Sequence, residues 1–266
     1  MAPRPPRRTV ATMAEHPATG LLTFNTLFRG RTQARMDALA GLLDASGYDI
    51  VCLQEVISPL ILSRLRRATP SYPHMARAWT FPLVRGGLVT LSRWPITRTH
   101  YEPFTPARPV RPELLLNKGA LFTRIKLPSG YLTVVNTHLS ANMDMDWSPS
   151  NRYTKVEQAE LARLADAVTR IDPAEPLVAA GDFNVPRDSP YFATFASAAG
   201  LRDALAGSTE PTYRPECADI GAIDQLLHRP GLKAEARVVF KDEIRLAGGD
   251  RAHLSDHYAI EAALHL

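Results

Sequence analysis

The stretch that decides the interpretation of this chain is Pro-Leu-Val-Ala-Ala-Gly-Asp-Phe-Asn, residues 176–184. Its apolar run is too short for a helix and predicts a buried strand that Gly181 ends. Asp182 and Asn184 follow with one residue between them, so an extended backbone directs both side chains to the same side. A carboxylate beside a carboxamide suits a hard cation or a phosphoryl oxygen. Taken alone, residues 181–184 fit an Asx-rich turn equally well.

Polar residues recur along the chain at the points where apolar strand patterns stop. Asp224 is an exception because it lies inside such a pattern, where a carboxylate is costly unless it is paired or hydrogen-bonded. Each of these groups alone has an ordinary structural explanation, but six of them together indicate one site. The other five are Asn25, Gln54-Glu55, Asn136-Thr137-His138, Asp182 with Asn184, and Asp256-His257.

The rest of the chain alternates between strand and helix patterns. Short apolar runs predict strands, and apolar residues at helical spacing predict helices. The alternation predicts two packed mixed sheets flanked by helices. Strands are predicted at residues 20–25, 49–54, 88–91, 120–126, 131–136, 176–180, 222–227, 235–240 and 258–263, and helices at 31–46, from 58, at 152–170 and near 188–199.

The composition fits one globular domain preceded by a tail. The chain has 266 residues, of which 45% are hydrophobic, and it has no run of about 18 apolar residues that would span a membrane. Residues 1–19 form an Arg/Pro-rich segment that we expect to be flexible, and residues 20–266 are predicted to be a single domain. The tail lacks the apolar core of a secretory signal, and a twin-arginine export signal is the less favoured interpretation. The cysteines, Cys52 and Cys217, are predicted to be free thiols in a reducing compartment. With no clear signal peptide we expect a cytoplasmic protein, and we also expect a monomer.

The distribution of charge is more informative than its total. The net charge is +4, but Arg4, Arg7 and Arg8 in the tail supply three of those charges. Between Ser71 and Gly130, nine Lys or Arg residues stand against two Glu residues. A basic middle segment attracts anionic partners such as phosphate esters, lipid headgroups or nucleic acid. Most of these side chains are equally compatible with an ordinary solvated surface.

The polar groups, taken in order, resemble those of the endonuclease/exonuclease/phosphatase superfamily, which has the pancreatic deoxyribonuclease-like fold. The resemblance includes residues 87–93 and 223–224 and extends from about Leu21 to the C-terminus. It implies an α/β (α+β) fold, a four-layer αββα sandwich of two packed mixed β-sheets flanked by helices. It also implies hydrolysis of a phosphate ester with Mg²⁺, for which Mn²⁺ can substitute.

The resemblance and the chemistry of the side chains imply the same roles. Glu55 supplies a charged metal ligand and Asn25 a neutral one, and the metal set extends to Asp182, Asn184 and Asp256. Asp182 aligns or deprotonates the attacking water, and Asn184 hydrogen-bonds the phosphoryl oxygens. The remaining catalytic assignments are His138 as a donor to a phosphate oxygen and His257 as a base or cationic stabiliser, oriented by Asp224 or Asp256.

Local motifs distinguish among the branches of the superfamily. Asn117-Lys118-Gly119 is similar to a motif of neutral sphingomyelinases and inositol polyphosphate phosphatases, but residues 222–225 lack the Trp-Cys-Asp-Arg motif of the latter. Leu27 stands where some nuclease branches carry an acidic residue, which weakens a DNA-repair interpretation. Residues 138–141 and the helix after them resemble the sphingomyelinase pattern. The predicted substrate contacts are Lys118, Asn136, Asn142, Trp147 and Arg152.

The sequence therefore predicts a Mg²⁺-dependent hydrolase of phosphate esters, most like sphingomyelinase-type phosphodiesterases. Its partner is a phosphate ester carried by a phospholipid headgroup, a nucleic acid or a soluble metabolite. The alternatives are a nuclease or nucleotide-directed phosphodiesterase, a phosphatase of a small soluble metabolite, and a catalytically inactive binding module. Against a dedicated membrane enzyme, the sequence predicts no long aromatic hairpin, no amphipathic anchor and no lipidation signal.

Overall fold

A computed structural model describes residues 18–104 and 115–266 of the chain. The tail predicted for residues 1–19 lies outside the described residues except for Ala18 and Thr19, and Thr19 already belongs to the first strand. The boundary between tail and domain therefore stays a prediction. No helix in the two described ranges is long and apolar enough to cross a bilayer.

Two six-stranded sheets form the centre of the molecule. The first sheet consists of β1 (Thr19–Asn25), β2 (Ile50–Gln54), β3 (His74–Thr80), β4 (Leu83–Ser92), β11 (Lys233–Val239) and β14 (Ala259–His265). The second sheet consists of β5 (Ile96–Pro103), β6 (Gly119–Leu127), β7 (Gly130–His138), β8 (Leu177–Asp182), β9 (Arg202–Asp203) and β10 (Asp224–His228). The strand order is β11-β14-β1-β2-β4-β3 in the first sheet and β5-β6-β7-β8-β10-β9 in the second. The short strands β12 (Ile244–Arg245) and β13 (Arg251–Ala252) pair separately.

Helices cover the outer face of each sheet. Apolar residues of α1 (Thr32–Asp44) and α2 (Pro59–Ala68) pack on the first sheet, and those of α3 (Arg152–Thr169) and α4 (Pro190–Ala198) pack on the second. Leu21, Val134 and Val178 are among the fully buried residues that fill the space between the sheets. The order helix, sheet, sheet, helix confirms the predicted four-layer αββα sandwich.

The strand directions bring one end of both sheets together as the site. The parallel strands β1 and β2 end at Asn25 and Gln54, and the parallel strands β7 and β8 end at His138 and Asp182. Because β10 runs antiparallel to β8, its first residue, Asp224, lies opposite Asp182 at that same end. We call this end of the sandwich the polar end.

Two long strands have no clear signature in the sequence, and both are edge strands. Most residues of β3 and β5 are partly or fully exposed, and Ala76 and Glu102 are their only buried residues. An edge strand that buries so few side chains has no apolar alternation to identify it. The edge strand β3 forms a hairpin with β4. The turn of this hairpin carries Phe81, which is 99% exposed, and Trp79 beside it is 51% exposed. The chain therefore presents two exposed aromatic side chains at one hairpin turn, and the expectation that it has no long aromatic hairpin stays a prediction.

Gly181 permits the close contact between β7 and β8 directly below the polar end. Its φ of +146° lies where L side chains are rare, and a Cβ built on it would stand 2.0 Å from the carbonyl oxygen of Thr137. Thr137 is its register partner in the parallel pair. The glycine that ends the strand in the sequence pattern therefore serves both backbone conformation and packing.

We expect Gly181→Ala to lower the free energy of unfolding by at least about 3 kcal/mol, since it adds a backbone clash to an unfavourable φ. Gly130→Ala is the matched control. Gly130 has a φ of +141°, but a Cβ added to it would meet no atom within 4 Å. Its substitution should cost only about 1 kcal/mol. Urea denaturation of both variants measures the difference, and equal losses would show that the clash is relieved by strand movement.

Candidate active site

Asp182 lies at the centre of the polar end and is 1% exposed. Its Oδ2 accepts a hydrogen bond from Asn25 Nδ2 at 2.9 Å and lies 3.3 Å from His138 Nε2 and 3.8 Å from His257 Nε2. Its Oδ1 accepts from the backbone N–H of Asn184 at 2.9 Å. Burial alone would raise the pKa of Asp182, but the charges of His138, His257 and Lys118 outweigh it and bring the pKa below its usual value. The carboxylate is therefore ionised despite its burial.

His257 and Asp224 form a buried pair next to Asp182. His257 Nδ1 lies 2.8 Å from Asp224 Oδ2, which directs Nε2 of the ring towards Asp182. Burial opposes the charged imidazolium, but the carboxylates of Asp224 and Asp182 outweigh this effect and raise the pKa of His257 to about 10. The edge of the Tyr213 ring packs on the imidazole at 4.9 Å, and Thr212 Oγ1 accepts the backbone N–H of Asp224 at 2.8 Å.

A second histidine and a lysine lie on the other side of Asp182. Lys118 Nζ is 3.0 Å from His138 Nε2 and donates to the carbonyl oxygen of Leu139 at 2.7 Å. Both side chains are buried, with exposures of 6% for Lys118 and 3% for His138. Asp182 thus has basic side chains on both sides, and Asp224 is a second buried carboxylate beside it. The ammonium group of Lys118 is suited to attract a bound anion such as phosphate.

Glu55 is held by the loop that follows β1. Its Oε2 accepts the backbone N–H of Phe28 at 2.8 Å, and its Oε1 lies 3.4 Å from Asn25 Nδ2. The φ of Glu55 is +63°, and Gly87 packs so closely that a Cβ there would lie 3.1 Å from Glu55 Cα. A non-glycine residue in the left-handed region that is held this tightly is typical of a functional position.

Asn25 has a different orientation from the one expected of a metal ligand. Its Oδ1 accepts the backbone N–H of Leu27 at 3.0 Å, while its Nδ2 faces Glu55 and Asp182. In this orientation Asn25 orients two carboxylates, and it would coordinate a cation only after its amide rotated. The predicted neutral ligand is therefore brought to the site as a hydrogen-bond donor.

Two sets of side chains could hold a cation. The ligand atoms of Asp182, Asp224 and His257 lie within 4.8 Å of one another. In that set the imidazolium already neutralises the carboxylates, and Mg²⁺ prefers oxygen ligands. Glu55 and Asp256 offer carboxylates that are not fully buried, and Asp256 Oδ1 lies 3.9 Å from His257 Nε2. By the chemistry of their ligand atoms, Glu55 and Asp256 therefore suit Mg²⁺ better than the compact set does.

The predicted substrate contacts lie in three different places. Asn136 does not reach the surface of the cleft, because its Nδ2 donates to the carbonyl oxygens of Leu53 and Val89 and its Oδ1 accepts from Gln54 Nε2. It is fully buried and connects the two sheets. Lys118 lies in the site beside His138. The other predicted contacts lie in the segment that follows β7 or at the start of α3.

The loop after β7 borders the site through Trp147. Trp147 is half-buried, and its Nε1 donates to the carbonyl oxygen of Asn184 at 3.1 Å. Asn142 is buried and uses its amide within the loop, donating to the carbonyl oxygen of Asp146 at 3.1 Å. The Arg152 side chain is 63% exposed and stacks on Tyr153. Trp147 therefore contacts the site directly, whereas Asn142 supports the loop and Arg152 lies at the surface.

Exposed apolar side chains concentrate around the same end of the molecule. Of the ten large exposed hydrophobic residues in the described ranges, only Leu42, Tyr131 and Leu266 lie away from the polar end. The other seven follow the last residues of β1, β2 or β7, precede β6, or lie at the β3–β4 turn. These seven, which we call the apolar rim, are Phe28, Leu60, Trp79, Phe81, Leu115, Met143 and Met145.

Solved structures of other proteins share the fold of this chain. Three solved structures cover nearly all of the chain with low identity. Sphingomyelinase C from Streptomyces griseocarneus has a TM-score of 0.72 at 22% identity, with 93% of this chain and 99% of that chain covered. A magnesium-bound beta toxin mutant from Staphylococcus aureus has a TM-score of 0.73 at 17% identity, covering 92% and 99%. A humanized D. rerio TDP2 has a TM-score of 0.74 at 15% identity, covering 93% and 99%.

At these identities the three structures establish the fold and not the substrate. A comparison with curated protein sequences gives no match. The model of the endonuclease/exonuclease/phosphatase family, in contrast, matches residues 22–257, which include every polar group of the site. The chain therefore belongs to the endonuclease/exonuclease/phosphatase family of metal-dependent phosphoester hydrolases, as its sequence predicts.

Proposed function

We propose that this hydrolase is a Mg²⁺-dependent phosphodiesterase that acts on phospholipids at a lipid surface, with sphingomyelin as the first candidate substrate. The observation that carries the proposal is the apolar rim around the polar end. The sphingomyelinase-like motifs at residues 117–119 and 138–141 support the same branch. They are not exclusive to it, so the physical character of the surface has to decide.

A polar, charged site with exposed apolar side chains at the same end of the molecule suits the boundary between lipid headgroups and acyl chains. Single exposed apolar residues are common, but a concentration of them marks an interaction surface. Phe81 lies in the turn between β3 and β4, and Trp79 lies near the end of β3. The guanidinium of Arg77 lies 5.2 Å from the centre of the Trp79 ring. Aromatic side chains beside a cation are suited to the headgroup region. Binding to a nucleic acid depends on basic side chains and not on apolar ones, and a soluble phosphate monoester needs no apolar rim.

The side chains of the polar end can be assigned roles in the hydrolysis of a diester. Glu55 and Asp256 would hold Mg²⁺. The bound ion would neutralise the phosphate and stabilise the leaving oxygen. Asp182, kept ionised by its basic neighbours, orients the attacking water, and Asn184 hydrogen-bonds the phosphoryl oxygens.

The basic side chains complete the assignment. Lys118 would present positive charge to the phosphate oxygens, and His138 would donate a hydrogen bond to one of them. Asp224 fixes the imidazole of His257 with Nε2 facing Asp182 at 3.8 Å, and the imidazolium would donate its Nε2 proton to the leaving oxygen. Lys118, His138 and His257 are all buried. Replacing any one of them should therefore be costly, because it leaves a neighbouring buried charge without its partner.

We expect hydrolysis of bis(p-nitrophenyl) phosphate to disappear with EDTA and to return with Mg²⁺. Glu55→Gln should reduce turnover by at least about a hundredfold at a fixed Mg²⁺ concentration, because it removes a charged ligand. His257→Ala should reduce it by a similar factor.

Glu235→Gln is the control for Glu55→Gln. Glu235 lies on β11 and its side chain is 62% exposed, so its substitution should leave turnover unchanged. Activity that persists in EDTA, or a Glu55→Gln variant as active as the wild type, would overturn the assignment of this site.

The lipid-surface proposal predicts that the aromatic hairpin matters only for substrate presented in a bilayer. Trp79→Ser combined with Phe81→Ser should reduce choline phosphate release from sphingomyelin vesicles by about tenfold or more, since burying one such side chain contributes about 1.5–3 kcal/mol. Hydrolysis of bis(p-nitrophenyl) phosphate should not change. Tyr131→Ser, which alters an exposed aromatic residue far from the polar end, is the control and should behave as wild type.

Other outcomes of the same assays identify the alternatives. Activity on DNA or RNA but not on vesicles would support the nuclease or nucleotide-directed interpretation. Activity only on soluble monoesters would support a phosphatase. Vesicle activity that is equally high in the double variant and in the wild type would keep the lipid substrate and remove the apolar rim from its recognition.

A further inference from the structure

Arg35 is a buried cation that lies outside the cluster around Asp182. Its side chain belongs to the apolar stripe of α1 together with Met36, Leu39 and Leu43, and the residue is 6% exposed. An arginine on a buried stripe needs partners for its charge and its N–H groups, because an unpaired buried charge costs several kcal/mol. The partners of Arg35 therefore reveal its role.

All four hydrogen bonds of Arg35 go to backbone carbonyl groups in two segments. Nη1 donates to Thr26 at 2.8 Å and to Leu254 at 2.6 Å. Nη2 donates to Leu27 at 2.7 Å and to Arg29 at 2.6 Å. One guanidinium thus connects the loop after β1 with Leu254, which lies 219 residues beyond Arg35 in the chain.

Both segments carry or orient side chains of the proposed metal site. In the first, the backbone N–H of Phe28 binds Glu55 Oε2 and that of Leu27 binds Asn25 Oδ1. In the second, Leu254 immediately precedes Ser255-Asp256-His257. The position of Glu55 relative to Asp256 therefore depends on a connection that passes through Arg35.

The charge of Arg35 acts on the same two carboxylates. Burial lowers the pKa of Arg35, while the negative charges of Asp256 and Glu55 raise it. The positive charge of Arg35 therefore attracts both carboxylates. Two carboxylates that are to hold one cation repel each other before it arrives, and a fixed positive charge that attracts both reduces that cost.

We propose that Arg35 is a positioning residue that sets the separation of Glu55 and Asp256 and so prepares the site to bind Mg²⁺. The proposal rests on the function proposed above, in which these two carboxylates hold the ion. Partners that orient metal ligands without touching the metal commonly change metal affinity by 10- to 100-fold when they are replaced. Arg35 should act through the same kind of support.

The chain contains a matched control in Arg229. Arg229 is 9% exposed, and its guanidinium also donates to four backbone carbonyls, those of Val168, Ile171, Asp172 and Glu175. It follows β10 at the end of the sheet opposite the polar end. The two arginines have the same chemistry and similar burial, and only Arg35 is connected to the site. A merely structural arginine should therefore behave like Arg229.

The test compares Arg35→Lys with Arg229→Lys. Lysine keeps the charge, but a single ammonium group has three N–H donors and cannot span four carbonyls as a planar guanidinium does. Both variants should unfold at a lower temperature than the wild type in EDTA. Isothermal titration of the metal-free proteins with Mg²⁺ should show affinity reduced about tenfold or more in Arg35→Lys, and within about twofold of wild type in Arg229→Lys.

Each outcome bears on a different claim. Equal Mg²⁺ affinity in Arg35→Lys and the wild type would overturn the positioning role and leave the proposed function intact. Absence of Mg²⁺ binding to the wild type would overturn the proposed function itself. Arg35→Gln is measured alongside, because it can still donate two hydrogen bonds but has no charge. If one of the two Arg35 variants does not fold, the other still tests the role. It should bind Mg²⁺ at least as weakly as Arg35→Lys, and wild-type affinity in it would also overturn the role.

Discussion

The buried carboxylate of Asp182 is the interaction on which the rest of this structure depends. A carboxylate at 1% exposure is stable only because positive charge and hydrogen-bond donors reach it from both sheets. Asn25 and His257 come from the first sheet and its flanking segment, and His138 comes from the second. The same contacts that satisfy the charge therefore hold the ends of the two sheets together. Stability and chemistry depend on one set of atoms at this position.

Below Asp182, a second polar contact fixes the separation of the sheets. Asn136 on β7 accepts a hydrogen bond from Gln54 and donates two to backbone carbonyls of the first sheet, at distances of 2.8 to 3.1 Å. Two donors and an acceptor held in this way cannot slide without leaving a buried polar group unpaired, which costs about 1–3 kcal/mol for each group. Glu55, the next residue after Gln54, has a left-handed backbone with a φ of +63°, and Gly87 packs against it. The site is prepared by the interior beneath it.

The sequence was informative where a pattern reflects burial, and uninformative where partners are distant in the chain. The run before Gly181 predicted β8 because every residue of that strand is buried. The edge strands β3 and β5 bury few side chains and gave no such pattern. Arg35 drew no attention in the sequence, because nothing in the chain indicates that Leu254 is one of its partners. For the same reason Asn136 was assigned to the substrate, since the sequence does not reveal that Leu53 and Val89 occupy its amide group.

Chemistry and substrate choice are separable in this molecule because different atoms carry them. The groups of the polar end are buried and joined by hydrogen bonds, so each substitution there disturbs several partners at once. The residues of the apolar rim come from five separate segments, and Phe81 is 99% exposed, so its replacement disturbs no buried contact. A scaffold built in this way can change what it recognises without changing the reaction it performs. Family membership consequently determines the reaction here, whereas the substrate must be inferred from the exposed residues around the site.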